Sequence, residues 1–292
     1  MPTVFLIDAS IYVFRAYFSL PDTVLDDAGR PANAVLGFGS FLCDLLQRQR
    51  PEHLALMFDE SLTTSFRNDI YPAYKANRPP PPADLQRQFA VCRGLVEAMG
   101  ILALGSPRYE ADDLIGSLAR RVRADQVRMI YVTADKDLAQ LVEDEDRWWD
   151  PARDRWLDEV GVFGVFGVRP SQIADLLGLA GDAVDNVPGV PGIGRKTAAT
   201  LLGHFGDMDG LYADLDRVGS LPLRGAARVR RLLADNREQA LLCRDLATIN
   251  REAPLPHELH DLRWRGVDVE ALRALRLPEG LRWRAERQSP EG

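Results

Sequence analysis

Three apolar runs in this chain end on an acid: "TVFLID" at residues 3–8, "HLALMFD" at 53–59 and "RMIYVTAD" at 128–135. Uninterrupted apolar stretches of this length suit strands buried on both faces of a parallel sheet. Between them the apolar positions take up a helical period. Residues 34–47 align Val35, Phe38, Leu42, Leu45 and Leu46, with Asn33 placed to cap the start. Residues 83–99 align Leu85, Phe89, Cys92, Leu95, Val96 and Met99, and Gly100 supplies a stop. Residues 111–122 align Leu114, Ile115, Leu118, Ala119 and Val122. Strands alternating with helices predict an α/β domain, a central and mostly parallel sheet flanked by helices.

From about residue 170 the strand signal stops. "PSQIADLLGLAG", "GRKTAATLLGHFG" and the long "ARVRRLLADNREQALLCRDLATI" read as helices. The predicted organisation is an α/β domain over 1–169, a helical module over 170–252 and a C-terminal segment over 253–292. In that segment "HDLRWRGVDVEALRALRL" packs back on the first domain, or part of it is disordered. The closing "RAERQSPEG" reads as a frayed tail and, with no further domain after it, favours a stand-alone protein over a piece of a larger one.

Composition narrows the class. Cys43, Cys92 and Cys243 stand singly, so neither a disulfide framework nor a zinc site is expected, which fits a reducing cytoplasm. The N-terminus lacks the layout of a signal peptide, and no apolar run approaches membrane-spanning length, so a soluble protein with no membrane partner is expected. A monomer is expected. The formal charge of -7 argues weakly against a nucleic-acid partner, unless acids and bases gather in different places.

They do. At the carboxyl ends of strands in an open α/β sheet, side chains share one crevice. Asp8, Asp59 and Asp135 end the three apolar runs, Asp137 follows in "TADKD", and Glu110, Asp112 and Asp113 stand in "YEADD" at a helix start. Taken singly, each reads as a helix cap or a solvated acid. As a set they do not, because two carboxylates about 5 Å apart repel by roughly 3 kcal/mol at an effective dielectric near 20. Divalent cations relieve that repulsion at neutral pH. Oxygen ligands without His or Cys point to Mg²⁺ or Mn²⁺ rather than Zn²⁺. Asp182 and Asp185, in "GDAVDNVPGVPGIGRKTAA", extend the set from the helical side. A carboxylate-only metal cluster suits phosphoryl chemistry: one ion activates a water and a second stabilises the leaving oxygen. The four histidines lie outside these motifs, so a Ser-His-Asp constellation has little support.

Two basic elements face this cluster in sequence. "PGVPGIGRKTA" resembles a helix-hairpin-helix element, in which Gly192 and Gly194 admit a phosphate close to the backbone and Lys196 adds positive charge. Such a grip follows the nucleic-acid backbone and ignores base identity. In "FRNDIYPAYKANRPPPPADLQR", Arg67, Lys75, Arg78 and Arg87 interleave with Phe66, Tyr71 and Tyr74. That mixture suits a single strand with neutralised phosphates and stacked bases. "PPPP" at 79–82 is a stiff extended connector. The segment, about 61–87, follows the strand ending in Asp59 and is expected to form a flexible arch over the acidic crevice.

In order and spacing, "LIDAS…FRAYF", "FRNDIYPAYKANRPPPPADL", "YEADDLIGSLA", "TADKDLAQLV" and "GDAVDNVPGVPGIGRKTA" resemble the 5′-nuclease family, which includes the 5′-nuclease domain of bacterial DNA polymerase I and flap endonucleases. The resemblance runs from about residue 3 to residue 252. It implies a helical arch and a helix-hairpin-helix module on the α/β domain. It implies a first metal site at Asp8, Asp59, Glu110, Asp112 and Asp113, and a second at Asp135, Asp137, Asp182 and Asp185. Lys75 and Arg78 would contact the scissile phosphate, with Tyr74 beside them and Arg67 flanking the arch. Some members hold K⁺ at the hairpin turn through backbone carbonyls, which Val190 and Ile193 would supply here. Ala9 and Ala134 stand where the family usually has glycine, each adding a methyl near a ligand.

The implied activity is Mg²⁺-dependent cleavage of DNA at 5′ ends and 5′ single-stranded flaps, leaving a 5′-phosphate and a 3′-hydroxyl. Setting the nine candidate ligands aside leaves a formal balance of about +2, so the overall acidity is no obstacle to binding DNA. A catalytically silent DNA-binding module would lack some of these acids, and none of the nine is missing. A metal-dependent ribonuclease on a similar sheet has no reason to carry the hairpin turn.

Overall fold

The structure is a computed structural model that describes residues 1–60 and 64–290. Its first part runs β1 (Thr3–Asp8), α1 (Ala9–Ser19), α2 (Asn33–Gln49), β2 (His53–Asp59), α3 (Phe66–Ile70), α4 (Ala83–Ala98), β3 (Leu102–Ser106) and α5 (Ala111–Val122). It continues through β4 (Arg128–Val132), β5 (Arg147–Asp150) and β6 (Arg155–Leu157). The strands form one sheet in the order β3-β2-β1-β4-β5-β6. All neighbours are parallel except β5 and β6.

The apolar runs have the expected cause. Val4 and Leu6 of β1, Ala55 and Met57 of β2, and Met129 and Tyr131 of β4 enter one core, shared with α5. Phe5 and Ile7, Leu54 and Leu56, and Ile130 and Val132 enter the opposite core, shared with α2 and α4. Both faces are covered, so alternation disappears from the sequence.

Asn33 departs from its expected capping role. It lies inside α2, where its side-chain amide donates to the carbonyls of Tyr17 and Leu20. The open N–H groups of Ala34 and Val35 are met by Gln88 Oε1 from α4 at 2.8 and 3.3 Å. A neighbouring helix supplies the acceptor that a local side chain usually gives.

The second part is helical: α6 (Glu159–Phe166), α7 (Ile173–Ala180), α8 (Arg195–Phe205), α9 (Met208–Ala213), α10 (Ala226–Asp235) and α11 (Arg237–Ala247). The single long helix expected over 227–249 breaks at Asn236, which has φ -122° and ψ 25° and whose side chain donates to the Leu232 carbonyl. Leu176, Leu177, Leu201, Leu202 and Leu233 join the core that lies under β1 and α5, so this module shares apolar packing with the sheet.

Two short helices follow, α12 (Val269–Ala274) and α13 (Leu281–Glu286). Trp264 donates its ring N–H to the Met99 carbonyl and its backbone N–H to that of Glu52. Leu272, Leu281 and Ala285 are buried against the sheet's second core. The expectation of a frayed tail is therefore corrected through residue 290: Ala285 is fully buried and Arg284 pairs with Asp44 of α2 at 2.8 Å. The last two residues of "RAERQSPEG" lie outside the described residues, as do residues 61–63 at the start of the expected arch. Among the described residues, no helix is long and apolar enough to cross a membrane.

Candidate metal centre and nucleic-acid interface

Strand order reverses at β1, which lies between β2 and β4, and crevices form at such switch points beyond the carboxyl ends of the strands. Asp8 is the last residue of β1. Its Oδ1 accepts the N–H of Ile11 at the start of α1, and its Oδ2 accepts the hydroxyl of Thr133 at 3.2 Å. Asp59, ending β2, accepts the N–H of Ala111 at the start of α5 at 2.9 Å, while its own N–H donates to Ser10 Oγ. The β4 strand stops at Val132, and a chain of contacts continues from it. Thr133 Oγ1 accepts the N–H of Asp135, and Asp135 Oδ1 accepts the N–H of Asp137 at 2.9 Å. Asp8 is thus held by both oxygens, Asp59 and Asp135 by one oxygen and the backbone N–H, and Asp137 by its backbone N–H.

Asp137, Asp182 and Asp185 converge most closely. One carboxylate oxygen from each lies within 4.8 Å of the others. Asp182 and Asp185 ride on a loop closed by two glycines back to back, both with positive φ. A Cβ on Gly189 would lie 2.2 Å from the Gly181 nitrogen, and one on Gly181 would lie 2.7 Å from the Pro188 carbonyl oxygen. Only glycine permits that closure. Asp112, Asp137, Asp182 and Asp185 line a cavity of about 10 Å³, room for a single ion or water.

The arch segment is strapped down over this crevice, which corrects the expectation of a flexible loop for its described part. Lys75 has φ 53°, a left-handed conformation, and its N–H donates to the Asp185 carbonyl at 3.0 Å. Its ammonium sits 2.7 Å from Glu110 Oε2 and 3.8 Å from Asp185. Arg78 pairs with Asp185, and Asn186 donates to the Ala73 carbonyl.

Tyr74 is buried, and its hydroxyl bridges Glu110 and Asp185 at 3.1 and 3.3 Å. A ring so enclosed has no face for a base to stack on. Arg67 is likewise removed from any ligand: it is 2% exposed, holds both oxygens of Asp113 at 2.7 and 2.8 Å, and donates to the carbonyls of Leu246 and Thr248. Asp113 is fully buried and also accepts the N–H groups of Asn250 and Glu110. Its oxygens are saturated, so the geometry makes Asp113 and Arg67 a structural pair joining α3, α5 and α11, not a metal ligand and a DNA contact. Arg87 is also engaged, with Asp84 and Asp26.

Burial, then Asp59 and Asp135, push the Asp8 carboxyl up to about 8. Burial and Asp135 raise Asp137 to about 7, and burial followed by the Glu110 charge raises Asp112 well above the usual carboxylate range. Burial also raises Asp59, with the Lys75 charge opposing it. Burial is the largest influence on Glu110 and Asp182 too and works against their ionised forms, but Lys75, Arg67 and the Tyr74 hydroxyl together hold Glu110 below its ordinary value, and Lys136, the Val184 N–H and Arg195 together do so for Asp182.

Lys136 is a site residue that the sequence reading passed over. Its ammonium lies 2.6 Å from Asp182 and 3.1 Å from Asp137 Oδ1. The signal for it was its place between two acids in "TADKD". Asp137 Oδ1 is buried and takes no hydrogen bond, so Lys136 attracts it without donor geometry. An orphaned carboxylate oxygen beside two others, in an oxygen-only set, fits a hard divalent cation.

Beside the crevice opens a groove of about 1130 Å³ lined by Asp59, Lys75, Arg78, Phe14, Phe58 and Phe89, among others. On the helical side, Gly192 has φ 88°, whereas Gly194 has φ -93° with nothing within 4 Å of an added Cβ. Glycine at 194 is therefore not required by the backbone; it leaves open space before α8. Lys196 is exposed on that helix. Val190 and Ile193 are buried, and the Val190 carbonyl accepts the Ile193 N–H at 2.9 Å.

Comparisons with known proteins give the family and the fold. The chain is 42% identical over 271 residues to DNA polymerase I of Pseudomonas aeruginosa and 38% identical over 275 residues to that of Bacillus caldotenax, covering 92% of this chain in each case. The matched part spans 30% of the length of those relatives. The fold matches T5 5′-exonuclease with zinc bound, with TM-score 0.69, 17% identity and 97% of each chain covered. It also matches T5 D15 flap endonuclease in complex with DNA and metal ions, with TM-score 0.68, 18% identity and 97% and 96% coverage. The Rad2 catalytic core in complex with DNA substrate gives TM-score 0.60 at 15% identity, covering 94% of this chain and 86% of that one. The family model for the 5′–3′ exonuclease N-terminal resolvase-like domain matches residues 3–167, and that for the C-terminal SAM fold matches 168–270. With two models abutting at Val168 and together spanning both the acidic crevice and the hairpin turn, the chain belongs to the 5′–3′ exonuclease family.

Proposed function

We propose that this chain is a Mg²⁺- or Mn²⁺-dependent 5′-nuclease that cuts DNA at 5′ ends and 5′ flaps, acting as a monomer in the cytoplasm and leaving a 5′-phosphate and a 3′-hydroxyl. The observation that carries this reading is the convergence of Asp137, Asp182 and Asp185 on a small cavity that Asp112 also lines, under a lysine and an arginine, with Asp8 near enough to Asp59 and Asp135 for their charges to raise its carboxyl. Asp8, Asp59, Glu110 and Asp112 would hold one ion; Asp135, Asp137, Asp182 and Asp185 would hold a second. Two divalent ions held there would supply an activated water for in-line attack and stabilisation of the leaving oxygen.

The chain's own residues do the rest. Lys75 and Arg78, which pair with Glu110 and Asp185 here, would offset charge on the phosphate oxygens once those carboxylates are engaged by cations. The groove beside them takes the single strand, with Phe14 and Phe89 rather than Tyr74 offering aromatic surface. Gly192, Gly194 and Lys196 hold the duplex by its backbone, and K⁺ at the Val190 and Ile193 carbonyls would reinforce that grip. In this reading residues 1–169, 170–252 and 253–292 act as catalytic domain, duplex holder and buttress.

A 5′-labelled flap duplex tests the proposal. Cleavage at the junction with Mg²⁺ and none with EDTA is expected; cleavage indifferent to EDTA, or none with either Mg²⁺ or Mn²⁺, would overturn it.

A further inference from the structure

The hairpin turn has a basic neighbour that the proposed function leaves unused. Between residues 187 and 231 the chain carries seven Lys and Arg against four acids, although the whole chain is net acidic. Three of the acids are engaged locally: Asp209 with Arg244, Asp214 with Arg217, and Asp216 with Arg230. The fourth, Asp207, caps α9. Among the described residues, Arg195, Lys196, Arg224, Arg228 and Arg231 have no carboxylate within 4.0 Å, and all five are exposed.

Arg195 and Lys196 open α8 just after the hairpin turn, Arg224 lies two residues before α10, and Arg228 and Arg231 are on α10. Arg228 and Arg231 are three residues apart and share a face of α10, whose opposite face buries Val229 and Leu233 in the core. A Cβ built on Gly192 would lie 3.2 Å from Leu232 Cδ1 and 3.9 Å from Arg228 Nη2. The hairpin turn therefore rests on α10, and Arg228 stands at its edge. Exposed arginines without a paired carboxylate, beside a turn that rests on the same helix, gain most from a regular line of phosphates.

We propose that Arg224, Arg228 and Arg231 form a second backbone grip for the same duplex, continuing the contact made by the hairpin turn along one strand. This rests on the reading of the turn as a duplex holder. The occupant is double-stranded DNA recognised by its phosphates, without regard to base sequence.

The test is the salt dependence of binding to a flap duplex, followed by fluorescence anisotropy in EDTA between 50 and 200 mM salt, on the order of the range where phosphate contacts are resolved. In R228A/R231A the slope of log K against log salt becomes shallower by about 0.9 per lost contact, and affinity at 0.1 M salt falls roughly tenfold to a hundredfold. The melting temperature stays at the parent value, and R228K/R231K restores most of the slope. A parental slope in R228A/R231A, or a loss confined to the isolated single strand, would overturn the second grip. Failure of the parent protein to bind the duplex at all would instead sink the reading of the turn.

Discussion

Replacing Arg67 with alanine separates two opposed roles for the one arginine that the chain buries most completely. Its guanidinium makes two hydrogen bonds to Asp113 and two to backbone carbonyls of α11 and the residue after it, from a position 2% exposed. Truncation leaves the fully buried Asp113 carboxylate with only two backbone N–H donors, and strands two carbonyls. Removing one partner of a buried ion pair costs about 3–5 kcal/mol, because the other charge is left uncompensated. A loss of that size is a large share of the 5–15 kcal/mol typical of a folded domain. Urea denaturation of Arg67→Ala should therefore show a midpoint far below the parent's. Arg67→Met with Asp113→Leu should recover part of the loss, since neither charge remains buried alone. Were Arg67 a DNA contact, the unfolding free energy would stay within about 0.5 kcal/mol of the parent's and the salt slope of DNA binding would fall by about 1. Unchanged stability with weakened DNA binding would refute the reasoning.

Other perturbations probe the site itself. Gly194→Val meets open space and an ordinary φ, so stability should hold while duplex affinity falls for every base sequence; unchanged affinity would reduce the turn to a connector. Lys75→Ala should slow turnover of bound flap DNA and, by calorimetry, tighten Mn²⁺ binding by roughly tenfold, a fraction of the ~4 kcal/mol that like charges 4 Å apart cost at an effective dielectric near 20. Weaker Mn²⁺ binding would contradict competition between the ammonium and the ion. Asp8 and Asp137, with carboxyls raised to about 8 and about 7, keep protons that the unfolded chain has lost above its ordinary value of about 4. The metal-free fold binds more protons, so melts in EDTA should show stability falling as pH rises from about 5.5 to 8, with Mg²⁺ flattening the trend. A rise in stability across that window in EDTA would reverse the sign and the argument.

The sheet was legible where burial is symmetrical. β1, β2 and β4 have apolar interiors because each alternates between two cores; β1 and β2 end on the expected acids, whereas β4 stops at Val132 and Asp135 lies three residues beyond it. β3 escaped notice because "LALGS" carries a glycine and is only partly buried, and β5 because four residues leave no period to read. Within the site, Asp8, Asp59, Asp135 and Asp137 were readable as strand ends and the loop beyond. The arch side chains were not. Arg67 is defined by Asp113 and by carbonyls nearly 180 residues away, and a basic-aromatic stretch reads the same whether its side chains face water or a partner. The split between α10 and α11 was hidden for a related reason. Asn236 interrupts an otherwise continuous helical pattern, and only its bond back to Leu232 marks the end of α10.

The most direct test of the account is an anomalous difference map from crystals soaked in Mn²⁺. Bound density is expected among Asp137, Asp182 and Asp185, and again between Asp8, Asp59 and Asp112, with the Lys75 ammonium moved off Glu110. Manganese absent from both places, with Lys75 still against Glu110 at saturating ion, would contradict it.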